Sequence, residues 1–163
     1  MEDTELHTVS FKLNGAVQVL QVAPRRSLTD VLDRECGMKS ARVGCGQGDC
    51  GSCTVSVDGV PIRGCLLFAV QADGADIRTA EALADPAMLA AIRKAFKKHR
   101  AIQCGYCTPG FMILAEYILR NALPLDQAVQ TLSANLCRCT GYSPIVSAVT
   151  ELLASRAENG CGP

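Results

Sequence analysis

The residues in this sequence that can do chemistry are its cysteines. Cys45, Cys50 and Cys53 stand in the pattern C-x4-C-x2-C, and Cys65 follows as a fourth thiol. Four thiolates at this spacing form the donor set of a [2Fe–2S] cluster of the plant type. Gly44, Gly46, Gly48 and Gly51 are interleaved with the first three thiols. Ligands so close in sequence must wrap the chain around a small anionic group. That wrapping needs positive φ angles and close main-chain approach, which glycine allows without steric cost. The amide N–H groups of such a loop can then point at sulfur and tune its potential.

A second set is spaced C-x2-C and C-x-C, with Cys104 and Cys107 followed by Cys137 and Cys139. Each pair lies just ahead of a helix start. Thr108-Pro109 and Ser143-Pro144 both read as an N-cap followed by a proline in the first turn. Exposed amides and the positive end of the helix dipole favour thiolates and an anionic cluster there. Four thiols without histidine suit a second [2Fe–2S] centre. Taken alone they also suit a closed tetrahedral zinc site, which is the strongest rival. The first motif in the same short chain weighs against zinc. Disulfides are the next rival, and they call for an oxidising compartment that no secretory signal indicates. Of the ten cysteines, Cys36 and Cys161 are left over. Cys36 ends an amphipathic stretch and reads as a small core residue; Cys161 lies in a polar tail.

The elements that must hold these thiols can be read from turns and periodicity. Thr54-Val55-Ser56-Val57 and Val60-Pro61-Ile62-Arg63 flank Asp58-Gly59, a two-residue hairpin turn. Pairing Val57 with Val60 sets Val55 against Ile62 and Cys53 against Gly64. Cys65 then emerges beside Cys53, with Cα atoms about 5 Å apart. Pro61 marks its strand as an edge or a bulge. Upstream, Val9, Phe11 and Leu13, then Asn14-Gly15, then Val17 and Val19 predict another hairpin with one buried face. Ser27-Leu28-Thr29-Asp30 opens a short helix with a capping-box signature, and Leu28, Val31, Leu32 and Cys36 form its apolar stripe. A strand is expected over 76–79. These parts make a small α+β unit over 1–80.

Beyond 80–86 the pattern turns helical, which places a domain boundary there and a second unit over 81–163, with the polar tail from about 157. Helices are expected over 88–98, from 108 to about 119, over 125–134, and from 143 to about 156. Four helices make a bundle. The helix after Cys107 is apolar nearly all round, so it must be buried between its own bundle and another surface. Residues 93–100 are basic and could dock an acidic partner, although a solvated helix face explains them as well.

Composition removes other classes. The chain has 163 residues, 48% of them hydrophobic, with 16 basic and 16 acidic side chains and no tryptophan. Mean hydropathy is +0.17. Neither net charge nor aromatic content favours nucleic acid. No apolar run reaches membrane-spanning length, and a cytoplasmic protein is expected. Gly46 to Gly51 formally matches G-x-G-x-x-G, but a hairpin follows it where a dinucleotide site needs a helix. A Rieske centre needs two histidines on one iron, and His7 and His99 lie outside both cysteine groups. Nor does either histidine complete a nucleophile–base pattern.

Three stretches together, Gly44-Cys45 through Cys50-Gly51-Ser52-Cys53-Thr54-Val55, Gln103-Cys104-Gly105-Tyr106-Cys107-Thr108-Pro109-Gly110, and Asn135-Leu136-Cys137-Arg138-Cys139-Thr140-Gly141-Tyr142, resemble the small iron–sulfur subunit of molybdenum hydroxylases. That is the xanthine dehydrogenase, aldehyde oxidoreductase and carbon monoxide dehydrogenase family. The likeness spans about residues 6–156 and fills all eight ligand positions. It implies an N-terminal β-grasp, plant-ferredoxin-like domain and a C-terminal four-helix bundle, each with one [2Fe–2S] cluster. It also implies a large partner with a molybdenum–pterin cofactor and a medium partner with FAD, in a heterotrimer or a dimer of heterotrimers. Electrons would pass from pterin to the bundle cluster, to the β-grasp cluster and on to flavin, with Gln103 and the backbone around Cys139 facing the pterin. A related reductase, of the hydroxyaromatic acyl-CoA type, would use the same subunit. Without the resemblance, two redox centres and no catalytic residues still read as a relay.

Overall fold

The computed structural model describes residues 5–83 and 85–158. Strands β1 (His7–Leu13) and β2 (Ala16–Val22) form the first hairpin, and helix α1 spans Leu28–Arg34. Strands β3 (Thr54–Val57) and β4 (Val60–Arg63) form the second hairpin, and β5 covers Asp76–Arg78. The sheet order is β2-β1-β5-β3-β4. β5 runs parallel to β1 and antiparallel to β3, so the sheet is mixed. This sheet with α1 packed on it has the β-grasp arrangement, and with the helices that follow it makes an α+β chain.

Both two-residue turns set register as expected. Asn14 and Gly15 take φ of 51° and 93°, and Asp58 and Gly59 take 50° and 82°. Two left-handed residues match the twist of paired strands. Val57 pairs with Val60 and Val55 with Ile62. β4 lies at the sheet edge, where Pro61 removes no ladder hydrogen bond that a neighbour needs. The first hairpin departs from expectation on one strand. Val9, Phe11 and Leu13 are buried, but Val17 and Val19 are 70% and 63% exposed. The turn places Leu13 opposite Ala16, so odd positions of β1 share a face with even positions of β2. Gln18, Leu20 and Val22 therefore face inward, and the two valines lie on the outer face of an edge strand.

Ser27 caps α1, its hydroxyl accepting from the Asp30 N–H at 3.2 Å. Leu28, Val31 and Leu32 are fully buried against Val9, Phe11, Val55 and Ile77. Cys36 packs half-buried at the edge of that core, and burial pushes its thiol up, with the Glu35 charge adding to the effect. Thr79, at the end of the expected strand, leaves the ladder and exchanges hydrogen bonds with the Asn14 side chain. Cys161 lies outside the described residues.

Four helices follow: α2 (Pro86–Lys98), α3 (Thr108–Arg120), α4 (Leu125–Ser133) and α5 (Ser143–Glu158). Their core is built on Ile92, Phe96, Phe111, Ile113, Ile118 and Ile145. α3 is the central helix. It packs on the other three helices and, on its remaining side, on β3 and β4. An apolar surface all round the helix has no other stable place. The two helices that follow the cysteine pairs, α3 and α5, start one residue earlier than the cap reading expects. Cys107 takes the N-cap position of α3 without a side-chain cap bond, and its carbonyl accepts from Phe111 N–H at 3.2 Å. Tyr142 likewise accepts from the Ile145 and Val146 amides at 2.9 and 3.0 Å, so Ser143 is already helical. Pro109 and Pro144 move to the second position, where a missing N–H still costs no helical bond.

Candidate metal centres

The first cysteine set lies in the loop between α1 and β3 and at the end of β4. A Cβ at Gly44 would stand 2.9 Å from Cys50 Sγ, so the main chain must pass that thiol bare. Cys45 Sγ accepts from the Cys50 amide at 3.4 Å and the Gln47 amide at 3.5 Å. These N–H groups, the Cys50 amide most of all, hold the Cys45 thiol down at about 6. Amides that favour a thiolate here also suit a sulfur carrying charge from bound iron. Cys53 is 1% exposed, and burial pushes it up to about 11, with the Cys65 thiol against it. The hairpin delivers Cys65 as its register requires, with Gly64 N–H donating to the Cys53 carbonyl at 3.2 Å.

The second set joins the α2–α3 loop to the α4–α5 loop. Cys104 and Cys139 are exposed at one end, while Cys107 is half-buried and Cys137 buried. The Tyr106 amide and the Cys139 thiol lower Cys104, and Cys139 is raised in return by its contact with Cys104. Burial drives Cys107 up to about 12, reinforced by Cys137. Cys137 is also opposed by burial, but Thr140 overcomes it. The Thr140 hydroxyl lies 3.1 Å and its amide 3.4 Å from Cys137 Sγ. The loop is tied to α5 by Cys137 N–H donating to the Tyr142 hydroxyl at 3.1 Å.

Within the sets Cys45 interacts with Cys50, Cys53 with Cys65, Cys104 with Cys139, and Cys107 with Cys137. Among the described residues no three His, Cys, Asp or Glu side chains gather as a single-ion site would need. Four thiols in each set match the donor number of a binuclear cluster with two thiolates per iron. A tetrahedral zinc site would draw four sulfurs onto one point. The residues present thus fit [2Fe–2S] groups. His7 is exposed, and His99 is half-buried with Nε2 2.6 Å from Glu151 Oε2. Gln103 is exposed beside Cys104, on the same rim as Cys139.

The structure also shows what joins the two sites. Tyr106 reaches across to donate its hydroxyl to the Val43 carbonyl at 2.9 Å, and Arg42 stacks 5.4 Å from its ring centroid. Leu136 N–H donates to the Cys50 carbonyl at 2.9 Å, and Arg63 Nη1 donates to Asn135 Oδ1 at 3.0 Å. Arg120 at the end of α3 donates to the Gly59 carbonyl in the β3–β4 turn. Sequence reasoning missed Arg63, Asn135 and Arg42 as parts of the site. Asn135 stood inside the third motif, but nothing local marks Arg63 as its partner.

Two sulfur sites, one on a mixed sheet and one on a helical bundle, define a two-centre iron–sulfur protein. A family model described as a 2Fe-2S iron-sulfur cluster binding domain matches residues 11–84. A second, a [2Fe-2S] binding domain, matches residues 79–150. The chain is 42% identical over 148 residues to the caffeine dehydrogenase subunit gamma of Pseudomonas sp. strain CBB1, covering 88% of this chain and 89% of that one. It is 39% identical over 155 residues to the xanthine dehydrogenase iron-sulfur-binding subunit of Escherichia coli O157:H7, covering 93% and 97%. The crystal structure of quinoline 2-oxidoreductase from Pseudomonas putida 86 superposes with a TM-score of 0.86 at 43% identity, covering 96% of this chain and 98% of that one. The chain belongs to the small [2Fe–2S] subunits of the molybdenum hydroxylases. Among the described residues no helix is long and apolar enough to cross a membrane.

Proposed function

We propose that this chain relays electrons between a large molybdenum–pterin subunit and a medium FAD subunit, in a heterotrimer or a dimer of heterotrimers in the cytoplasm. Cys45, Cys50, Cys53 and Cys65 hold one [2Fe–2S] cluster; Cys104, Cys107, Cys137 and Cys139 hold the other. A boundary near residue 80 divides the two carriers. Each cluster, when bound, takes up and gives up one electron. The chain's own residues supply four thiolates per site, amides that stabilise charge on sulfur, and a packed seam that fixes the two sites relative to each other.

The observation that carries this reading is that the eight thiols fall into two sets of four, one in each of the two stretches that [2Fe-2S] family models match. The exposed rim of Gln103, Cys104 and Cys139 supports an outward, pterin-facing end on the bundle side. The role of this polypeptide is to bind, orient and insulate the carriers. Anaerobically purified protein should be brown, bleach on reduction, and contain iron and acid-labile sulfide for two clusters per chain. Colourless protein with zinc in place of iron would refute the reading.

A further inference from the structure

Cys137 is the most buried thiol of the second set, 8% exposed. Cys104 and Cys139 stand at the open rim, where water or a docked partner can donate to sulfur. The hydrogen bonds that Cys137 Sγ receives must come from the chain itself, and one residue supplies them. The Thr140 amide lies 3.4 Å and the Thr140 hydroxyl 3.1 Å from that sulfur. Among the described residues, Cys137 is the one thiol of either set that a side-chain hydroxyl reaches.

The turn around it fixes the direction of this bond. A hydroxyl has one proton and two lone pairs. The Tyr142 amide donates to Thr140 Oγ1 at 3.2 Å, which occupies a lone pair and leaves the proton to be given. A sulfur that ligates iron carries no proton, so in the loaded protein it can only accept. The backbone is bent to bring Tyr142 into place. Gly141 and Tyr142 take φ of 67° and 68°, a left-handed conformation that is costly for tyrosine. The Tyr142 hydroxyl closes the circuit by accepting from the Cys137 N–H at 3.1 Å. Reversing the chain uses the threonine oxygen only as an acceptor. The proton aimed at sulfur is left over from that role.

We propose that Thr140 is a positioning residue for charge: through its hydroxyl bond to Cys137 Sγ it holds up the reduction potential of the bundle-side cluster, so that this site takes the electron arriving from the pterin side. The proposal rests on the electron-transfer reading above. Reduction adds one negative charge, shared by the ligand sulfurs, and a donor gains more from a more highly charged acceptor. Burial sharpens the difference, because little water is present to screen it. One electron enters from the reduced pterin-bearing partner; the threonine keeps its proton and no covalent bond changes.

The test is a potentiometric titration of the assembled holoenzyme, followed by EPR, for wild type, Thr140→Val, Thr140→Ser and Tyr142→Phe. The bundle-side signal is the one that Cys104→Ser removes. Thr140→Val keeps the shape and loses the proton. At a fixed poise its ratio of reduced to oxidised bundle-side cluster should fall about tenfold, a midpoint lower by about 59 mV for one electron. The sheet-side signal should titrate as in wild type. Thr140→Ser keeps the donor, and its ratio should stay within about twofold of wild type. Tyr142→Phe loosens the same turn without touching sulfur and should also stay within about twofold. A wild-type midpoint in Thr140→Val, with full iron, would overturn the proposal. An equal fall in Thr140→Ser or Tyr142→Phe would do so too, since loosening of the turn would then suffice. Should Thr140→Val fail to keep its iron, wild type carries the test. Its reduced bundle-side cluster must show a coupled hydroxyl proton that brief transfer into deuterium oxide removes, and a spectrum without one overturns the proposal. Iron-free wild-type protein would instead sink the electron-transfer reading itself.

Discussion

Replacing Gly110 with alanine sets two effects of opposite sign against each other. Gly110 is the third residue of α3, and alanine in a helix is favoured over glycine by about 1 kcal/mol. The structure opposes that gain. A Cβ at Gly110 would lie 2.5 Å from the Gly51 carbonyl oxygen and 2.5 Å from Asn135 Nδ2. Ordinary contact begins at about 3.5 Å. Neither neighbour is the free end of a flexible side chain: one is main chain in a thiol-bearing loop, the other a fully buried amide. Overpacking of this kind costs about 1–3 kcal/mol. With the larger part of that range applying, a net loss of about 1–2 kcal/mol remains after the propensity gain. For a chain of this size the melting midpoint should fall by about 3–6 °C. Thermal unfolding of iron-loaded wild type and Gly110→Ala, followed by circular dichroism at one pH and salt, measures it. A midpoint that rises would refute the reasoning, because α3 would then have room against the Gly51 loop.

Three other expectations are simpler. Cys104→Ser should abolish or distort one EPR signal and spare the other, and Cys50→Ser should do the converse; loss of both signals in either variant would contradict two independent sites. Cys36→Ala should leave iron content unchanged, measured by elemental analysis, since that thiol packs in the sheet core rather than in either set. Lys98 first, then His99, hold the Glu151 carboxyl below its usual range. A carboxylate with a lowered folded pKa stabilises above its unfolded value, about 4.3, and loses that contribution as pH falls through the folded value. Wild type should therefore exceed Glu151→Gln in denaturation midpoint near neutrality, with the difference closing below about pH 4. A difference that grows in acid would reverse the assignment.

Local signals were the legible part of this chain. Asn14-Gly15 and Asp58-Gly59 fix two hairpins because two residues must both turn left-handed, and that geometry sets strand register without help from the rest of the fold. The second of those registers brings Cys65 to Cys53, so half of one site could be built from sequence. The same turn arithmetic, carried one residue further, would have put Val17 and Val19 outside; apolar identity misled because an edge strand can leave β-branched residues in solvent. Thr108 looked like a cap by residue type, yet the carbonyl of Cys107 was free to start the helix first. The seam was not legible at all. Arg63 and Asn135 stand 72 positions apart, and their meeting depends on α3 lying against the β3–β4 hairpin. Only the near-uniform apolarity of α3 hinted that such a contact existed.

The open rim at Cys104 and Cys139 has a practical consequence. Half of that site ends in water when the chain stands alone, so its dielectric surroundings are completed by whatever docks there. Midpoint potentials and air lifetimes recorded on the separated polypeptide would describe a solvated edge rather than the working assembly. The first set differs in degree, with Cys53 buried and Cys45, Cys50 and Cys65 partly exposed.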